Sequence, residues 1–278
     1  MKNYLETVNQ FLMAEPDPAF ARRAKIIFEN LELSLGQKIL DVGCGRGFYL
    51  KVLSSLHLNL DIYGLDFNPE YLKLATETLK EEKACLLKGD ITNLPFKDNF
   101  FDRVIASEIL EHIRDDQKAI KEIFRVLKPN GVAVITVPYE NYPFFWDPLN
   151  FLLERLFKTH VNKDIWWLAG IWADHERLYG KRELKEKLVK EGLVVKREFF
   201  STTHCFPFSH FLLYGLGKNL LEIGLLGNFN RFRTNKPSLL NKIMLWPIRK
   251  VDEQNERQTG KSAEAFVNLI LKVQKQQK

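Results

Sequence analysis

The 278-residue chain has few cysteines and lacks the marks of a secretory leader. Cys44, Cys85 and Cys205 lie far apart, with no Cys-x-x-Cys pair and no histidine at zinc-binding spacing. This pattern argues against a disulfide framework and against a metal site, so we expect free thiols, no bound metal and a cytoplasmic location. Residues 1–18 contain no long apolar run, which argues against a signal peptide.

Positive charge is unevenly distributed. The net charge is +6, yet residues 228–278 hold eleven Lys or Arg against four Asp or Glu. An anionic partner such as lipid headgroups would explain this excess, and so would a solvated basic face.

The stretch 206–226 is about as long as a transmembrane helix but contains Pro207, His210, Lys218 and Glu222. We therefore expect an amphipathic helix pair instead of a span. Together with the basic residues that follow, segment 205–250 is expected to lie on an anionic membrane surface, peripheral at the inner membrane face. A lid over an apolar substrate and a dimer contact are the alternatives, and the sequence leaves the oligomeric state open.

Short apolar runs alternate with helical periodicity from residue 35 onward. Strands are predicted at 38–42, 61–65, 84–87, 102–106, 132–137, 194–200 and 263–272, and helices at 48–56, 116–127 and 181–190. The alternation predicts βαβ units with right-handed crossovers and a largely parallel sheet. Ligands of such sheets lie outside the carboxyl ends of the strands.

Residues 41–47, Asp-Val-Gly-Cys-Gly-Arg-Gly, form a glycine turn directly after the first predicted strand. Glycine allows the sharp reversal and lets a ligand approach the backbone, and the following helix start offers amide donors to an anionic group. Alone, this turn is weak evidence. However, Asp66, Asp90 and Ser107-Glu108 end the next three strands, where acids can accept from ribose hydroxyls and an adenine amine. Together they indicate a nucleoside-binding crevice.

A dinucleotide site is the main alternative for this crevice. Its fingerprint is Gly-x-Gly-x-x-Gly, whereas Gly43, Gly45 and Gly47 are spaced one residue tighter, and no second glycine motif is present.

Five motifs resemble those of class I S-adenosylmethionine-dependent methyltransferases, especially the small-molecule branch that includes quinone-biosynthesis enzymes. They are Ile-Leu-Asp-Val-Gly-Cys-Gly-Arg-Gly, Gly-Leu-Asp-Phe-Asn-Pro, Gly-Asp-Ile-Thr-Asn-Leu-Pro-Phe, Phe-Asp-Arg-Val-Ile-Ala and Leu-Lys-Pro-Asn-Gly. The resemblance covers about residues 35–140. It implies a Rossmann-like, doubly wound α/β fold whose seven-stranded, mostly parallel sheet ends in an antiparallel strand, with a helical lid and a C-terminal insertion.

The resemblance also implies S-adenosyl-L-methionine as cofactor and assigns its contacts. Asp41, Gly43, Cys44 and Gly45 would line the methionine end, with Gly47 allowing the turn. Asp66 would contact the ribose and Phe67 the adenine face, while Asp90 and Ile91 would lie at the adenine edge. Ser107 would face the same crevice.

Acceptor contacts and a general base are sought after the fourth and fifth strands. Glu108, Glu111 and His112 are the general-base candidates near the crevice. His112 follows Glu108 by four residues, so the two could share one helical face, and His112 is suited to proton transfer. His175 is a second catalytic candidate, and it is also a candidate for substrate contact, together with Glu108 and Tyr139. For His112 the alternative is helix packing or capping, and for His175 a surface turn in which Asp174 pairs with Arg177.

These features predict a methyltransferase acting on a small-molecule or lipid-like acceptor, by O- or C-methylation. Residues 1–34 are expected to form a helical cap and 35–278 the catalytic domain, with an aromatic lid at 139–180 and an apolar, basic insertion at 203–260. A non-catalytic scaffold bound to a membrane or protein partner is the alternative. Nucleic acid is a weaker candidate partner, because no RNA-binding module is recognisable.

Overall fold

A seven-stranded sheet forms the centre of the molecule. The computed structural model describes residues 4–13, 15–80, 82–165, 168–211, 232, 239–257 and 264–276. Its strands are β1 (Lys38–Val42), β2 (Asp61–Asp66), β3 (Cys85–Lys88), β4 (Phe101–Ser107), β5 (Leu127–Pro138), β6 (Leu193–Ser201) and β7 (Asn268–Lys275). Their order across the sheet is β3-β2-β1-β4-β5-β7-β6.

The first five strands are parallel, and β7 runs antiparallel to both β5 and β6. The predicted doubly wound fold with an antiparallel last strand is therefore confirmed. The seventh strand begins five residues later than predicted. The amides of Phe266 and Val267 donate to carbonyls of Asn141, Ser201 and Thr202 before the ladder to β5 starts.

Helices cover both faces of the sheet. They are α1 (Tyr4–Leu12), α2 (Pro18–Asn30), α3 (Phe48–Ser54), α4 (Pro69–Thr78), α5 (Asp116–Val126), α6 (Pro148–Phe157), α7 (Lys181–Lys190) and α8 (Leu239–Arg257), with 3-10 turns at Leu110–His112 and Gly170–Trp172. Buried residues of α1, α2 and α3 pack in one core cluster, and those of α5 and α7 pack in another. The near-continuous apolar runs of the central strands are consistent with a sheet buried on both faces.

Side-chain caps set where several helices begin. Asp17 accepts from the amides of Ala19 and Phe20 at the start of α2, and Asn68 accepts from Glu70 at the start of α4. Asp115 accepts from Lys118 at the start of α5. Each cap satisfies amides that have no partner inside the helix.

Much of the proposed membrane segment lies outside the described residues. This applies to Lys218 and Glu222, to Arg231, Arg233 and Lys236, and also to Trp166 and Trp167 of the proposed lid. Among the described residues, no helix is long and apolar enough to cross a membrane.

Candidate functional site

The chain after β1 turns through three glycines with positive φ. The φ angles of Gly43, Gly45 and Gly47 are 72°, 51° and 83°, values that L side chains rarely adopt. The amides of Gly43 and Cys44 donate to the carbonyl of Leu65 at 2.8 and 3.0 Å, which ties the turn to the end of β2. A Cβ atom on Gly45 would meet no other atom within 4 Å. A ligand can therefore approach the backbone there.

The Asp66 carboxylate bridges this turn and the next helix. The Gly45 amide donates to its Oδ2 atom and the Asn68 amide to its Oδ1 atom, both at 2.8 Å. A carboxylate has about four acceptor positions, so both oxygens can also accept hydroxyl hydrogens. The two amides hold the carboxylate in a fixed orientation at the carboxyl end of β2.

A second carboxyl group, that of Asp41, lies buried beside the turn. Its side chain is 1% exposed, and its Oδ2 atom makes no hydrogen bond. Burial, and then the negative charge of Asp66, raise the pKa of Asp41 to about 8. A cationic ligand group nearby would favour the ionised form. Burial also raises the pKa of the Cys44 thiol, which keeps it protonated and consistent with a packing role.

A cavity of about 500 Å³ opens at the carboxyl ends of β1, β2 and β3. Its wall contains six of the residues proposed from the sequence, namely Gly43, Asp66, Phe67, Asp90, Ile91 and His112. The Thr92 amide donates to Oδ1 of Asp90 at 2.8 Å, which fixes the carboxylate after β3. The Phe67 ring is 75% exposed at the rim, where it can cover a planar group.

Comparison with known proteins identifies this part of the chain. Residues 40–135 match the model of a family described as a methyltransferase domain. The description of this family agrees with the resemblance of the five motifs to class I S-adenosylmethionine-dependent methyltransferases.

Relatives of the methyltransferase domain act on different acceptors. The chain is 36% identical to sterol 24-C-methyltransferase of Aspergillus fumigatus over 48% of this chain and 37% of that protein. It is 35% identical to demethylmenaquinone methyltransferase of Staphylococcus carnosus over 48% of this chain and 54% of that protein. The chain thus spans about half or less of these relatives' length. A similar fold is found in phosphoethanolamine N-methyltransferase 2 of Haemonchus contortus, which was solved in complex with S-adenosyl-L-methionine. The two structures superpose with a TM-score of 0.58 and 20% sequence identity, over 91% of this chain and 52% of that one.

Ser107 and Glu108 lie beside the cavity of the methyltransferase domain without lining it. The Ser107 hydroxyl contacts the hydroxyls of Tyr49 and Thr136 at 3.0 and 3.1 Å. Glu108 accepts from the side chains of Thr136 and Asn268 at 2.8 and 2.9 Å. Both side chains are thus engaged by residues of α3, β5 and the start of β7.

The expected shared helical face of Glu108 and His112 is wrong. Glu108 has a φ of 53° and lies outside the single 3-10 turn Leu110–His112. The alternative for His175, a turn in which Asp174 pairs with Arg177, is not found among the described side chains. The Asp174 carbonyl lies 2.9 Å from Nδ1 of His112, and Arg177 pairs with Asp116 at 3.0 Å.

Tyr139 lines a separate, shallower cavity of about 460 Å³ with Lys181 and Lys185. Its ring packs against Phe200. In the proposed aromatic lid, Tyr142 and Trp146 are buried in a small core cluster with Ile171. These two aromatic rings therefore have a packing role.

His112 and His175 lie together, with ring centroids 4.7 Å apart. Burial, and then the neighbouring His112 and His210, lower the pKa of His175 to about 3. Glu111 is fully buried next to them, and burial raises its pKa well above the usual value. The sequence pointed to each histidine separately, but their 63-residue separation hid the contact.

Other cavity residues were not proposed from the sequence. They are Leu65, Gly89, Thr92, Ile109, Ile113, Arg114 and Asp115. Asp115 had a detectable signal, because it precedes a helical pattern as an N-cap. The apolar residues in this set had no such signal in the sequence, because apolar residues that line a cavity are of the same types as those that pack in the core.

Proposed function

We propose that this chain transfers a methyl group from S-adenosyl-L-methionine to a small, lipid-like acceptor. The observation that carries the proposal is the convergence of the glycine turn, Asp66 and Asp90 on one cavity at the strand ends. The similarity to methyltransferases supports the reaction class.

Each group at this cavity has a defined task in the proposal. Asp66 accepts the ribose hydroxyl hydrogens, and Asp90 accepts from the adenine amine at the rim. The open space at Gly45 receives the methionine end, and the buried carboxyl of Asp41 lies close enough to the turn to favour a cationic amine there. When bound, the cofactor supplies a sulfonium methyl group that is already activated for displacement. The protein's work is then orientation of the reactants and exclusion of water.

The acceptor class is inferred from an apolar surface on the lid side. Leu152, Leu156 and Phe157 of α6 are 47%, 68% and 70% exposed, and Phe145 just before the helix is 50% exposed. We call this surface the α6 face. Large apolar side chains in one exposed patch mark contact sites for lipid or protein.

Cations flank the α6 face. Arg155 and Lys158 are exposed at its end. The acid within the helix, Glu154, accepts a hydrogen bond from the indole N–H of Trp172. Apolar side chains bordered by cations fit an anionic bilayer surface, where the former enter the acyl boundary and the latter stay among headgroups. The proposal therefore places the enzyme peripherally at a membrane, with segment 205–250 as a second contact. Sterol and demethylmenaquinone, the acceptors named for two relatives, agree with a lipid-like substrate.

The proposal also assigns three segments of the chain to parts of the enzyme outside the sheet. Residues 1–34 would act as a helical cap, 139–180 as the lid and 203–260 as an insertion between β6 and β7. O- or C-methylation is proposed, with His112 or His175 near the acceptor. No specific observation favours the non-catalytic scaffold.

A methyl-transfer screen tests this function. Cofactor labelled in its methyl group is incubated with the full chain and with lipid and polar cell extracts. We expect label in the lipid fraction with wild type and with Asp61→Asn, which changes an exposed acid at the far end of β2, and little label with Asp66→Asn. Label confined to the polar fraction would reject the lipid-like acceptor, and no label in either fraction would reject the enzyme.

A further inference from the structure

The carboxylate of Glu111 is buried without a hydrogen-bond donor. Its side chain has no solvent exposure, and neither of its oxygens makes a hydrogen bond. Burial without hydrogen-bond partners strongly disfavours the ionised form of a carboxyl group, unless a cation binds it. Two imidazoles lie near one of its oxygens. Nε2 of His112 lies 3.9 Å from Oε1 of Glu111, and Nε2 of His175 lies 4.0 Å from the same oxygen.

Backbone contacts fix the His112 ring and hold the loop of His175 beside Glu111. Nδ1 of His112 contacts the carbonyl of Asp174 at 2.9 Å, so this nitrogen carries the proton and Nε2 keeps its lone pair. The Glu176 amide donates to the carbonyl of Glu111 at 2.8 Å, which ties the loop bearing His175 to the turn bearing Glu111. A histidine whose second nitrogen bonds to a backbone carbonyl is the usual arrangement of a metal ligand.

We propose that Glu111, His112 and His175 bind one divalent transition-metal ion of the Zn²⁺ class at the wall of the cofactor cavity. One ligand atom from each of the three side chains lies within 4.8 Å of the other two. Two ligands about 2.1 Å from a tetrahedral Zn²⁺ ion lie about 3.4 Å apart. The two distances to Oε1 must therefore shorten by roughly half an ångström each, and the two histidine nitrogens, which lie within 4.8 Å of each other, must also approach to about 3.4 Å. Side-chain rotations can supply these shifts.

The ligand types select this class of ion. Two imidazoles and one carboxylate suit Zn²⁺ and its neighbours in the first transition row, whereas Mg²⁺ and Ca²⁺ prefer oxygen ligands. Three protein ligands leave a fourth position open, as in sites that bind a water or a substrate. His112 also lines the cofactor cavity, so the open position would be accessible to an oxygen atom of a small molecule there. Metal binding itself does not depend on the proposed methyl transfer.

The test is a metal titration of the full chain. Protein stripped with a chelator is titrated with Zn²⁺ in competition with a chromophoric chelator, and binding of S-adenosylhomocysteine is measured on the same sample. We expect one Zn²⁺ ion per chain. Glu111→Gln and His175→Ala should each weaken Zn²⁺ binding by about 100-fold or more. His57→Asn, which changes an exposed histidine in a left-handed turn, should leave binding unchanged.

Co²⁺ substitution gives a second measurement that needs no variant. Intense visible absorption bands, typical of four-coordinate Co²⁺, are expected for wild type. Weak bands typical of six-coordinate Co²⁺, no stoichiometric Zn²⁺ binding, or equal binding by wild type and Glu111→Gln would overturn the site. If S-adenosylhomocysteine still binds, the metal site alone is rejected and the proposed function stands.

Discussion

At the scale of single residues, Gly45 and Gly36 form a matched pair. Their φ angles are 51° and 73°, and an added Cβ atom would meet nothing within 4 Å at either position. Gly45→Ala and Gly36→Ala should therefore lose similar stability from backbone strain, about 1–2 kcal/mol. Only Gly45→Ala should also lose affinity for S-adenosylhomocysteine, by about tenfold or more, because its methyl group would occupy ligand space. Calorimetric titration of both variants checks this, and equal affinities would remove the ligand from this turn.

Asp41 predicts a pH dependence of stability. Burial raises its pKa in the folded protein from an ordinary value of 3.8 to about 8. Between these two pKa values the folded state holds a proton that the unfolded state has released. The contribution of Asp41 to the free energy of unfolding is therefore fully present below about pH 4 and is lost as the pH rises toward 8. The slope from this group is at most about 1.4 kcal/mol per pH unit.

The neutral variant Asp41→Asn supplies the control for this effect. The free energy of unfolding of both proteins is measured with urea at pH 5, 6.5 and 8. As the pH rises, we expect the wild type to lose more stability than Asp41→Asn does. Parallel curves for the two proteins over this range would show that the buried carboxyl is ionised throughout.

At the scale of helices and strands, the sequence predicted the sheet well. Compact β-branched runs such as 132–137 mark buried strands, and the glycine turn marks where β1 ends. The relation of Glu108 to His112 was mispredicted for a physical reason. Glu108 adopts a left-handed φ because its carboxylate bonds to Thr136 on β5 and to Asn268 at the start of β7. Local spacing carries no information about a partner 160 residues away.

The α6 face makes a prediction at this scale. Leu156→Glu combined with Phe157→Glu should reduce co-sedimentation with anionic phospholipid vesicles by about tenfold or more, because two apolar groups are lost and negative charge is added. Val189→Glu changes another exposed apolar residue, 59% exposed on α7, and serves as the control. Sedimentation unchanged in the double variant, or reduced to the same extent in the control, would contradict the membrane contact.

At the scale of the whole molecule, two lysines of the basic C-terminal fifth make contacts inside the fold. Lys275 is nearly buried and donates to the carbonyls of Phe124 and Leu127 at 2.8 Å each, and Lys272 pairs with Glu32. Part of the positive charge thus joins β7 to the rest of the fold. Net charge alone could not reveal this, because the carbonyl partners belong to residues about 150 positions earlier in the chain.

The central claim is that the cavity at the strand ends binds the sulfonium nucleoside through Asp66. Titration calorimetry with S-adenosylhomocysteine on wild type, Asp66→Asn and Asp61→Asn tests it most directly. The account predicts one site per chain in wild type and Asp61→Asn. In Asp66→Asn the affinity should fall by about 10- to 100-fold, since hydrogen bonds to a charged group contribute about 1.5–3 kcal/mol. No binding by wild type, or equal affinity in all three proteins, would contradict the account.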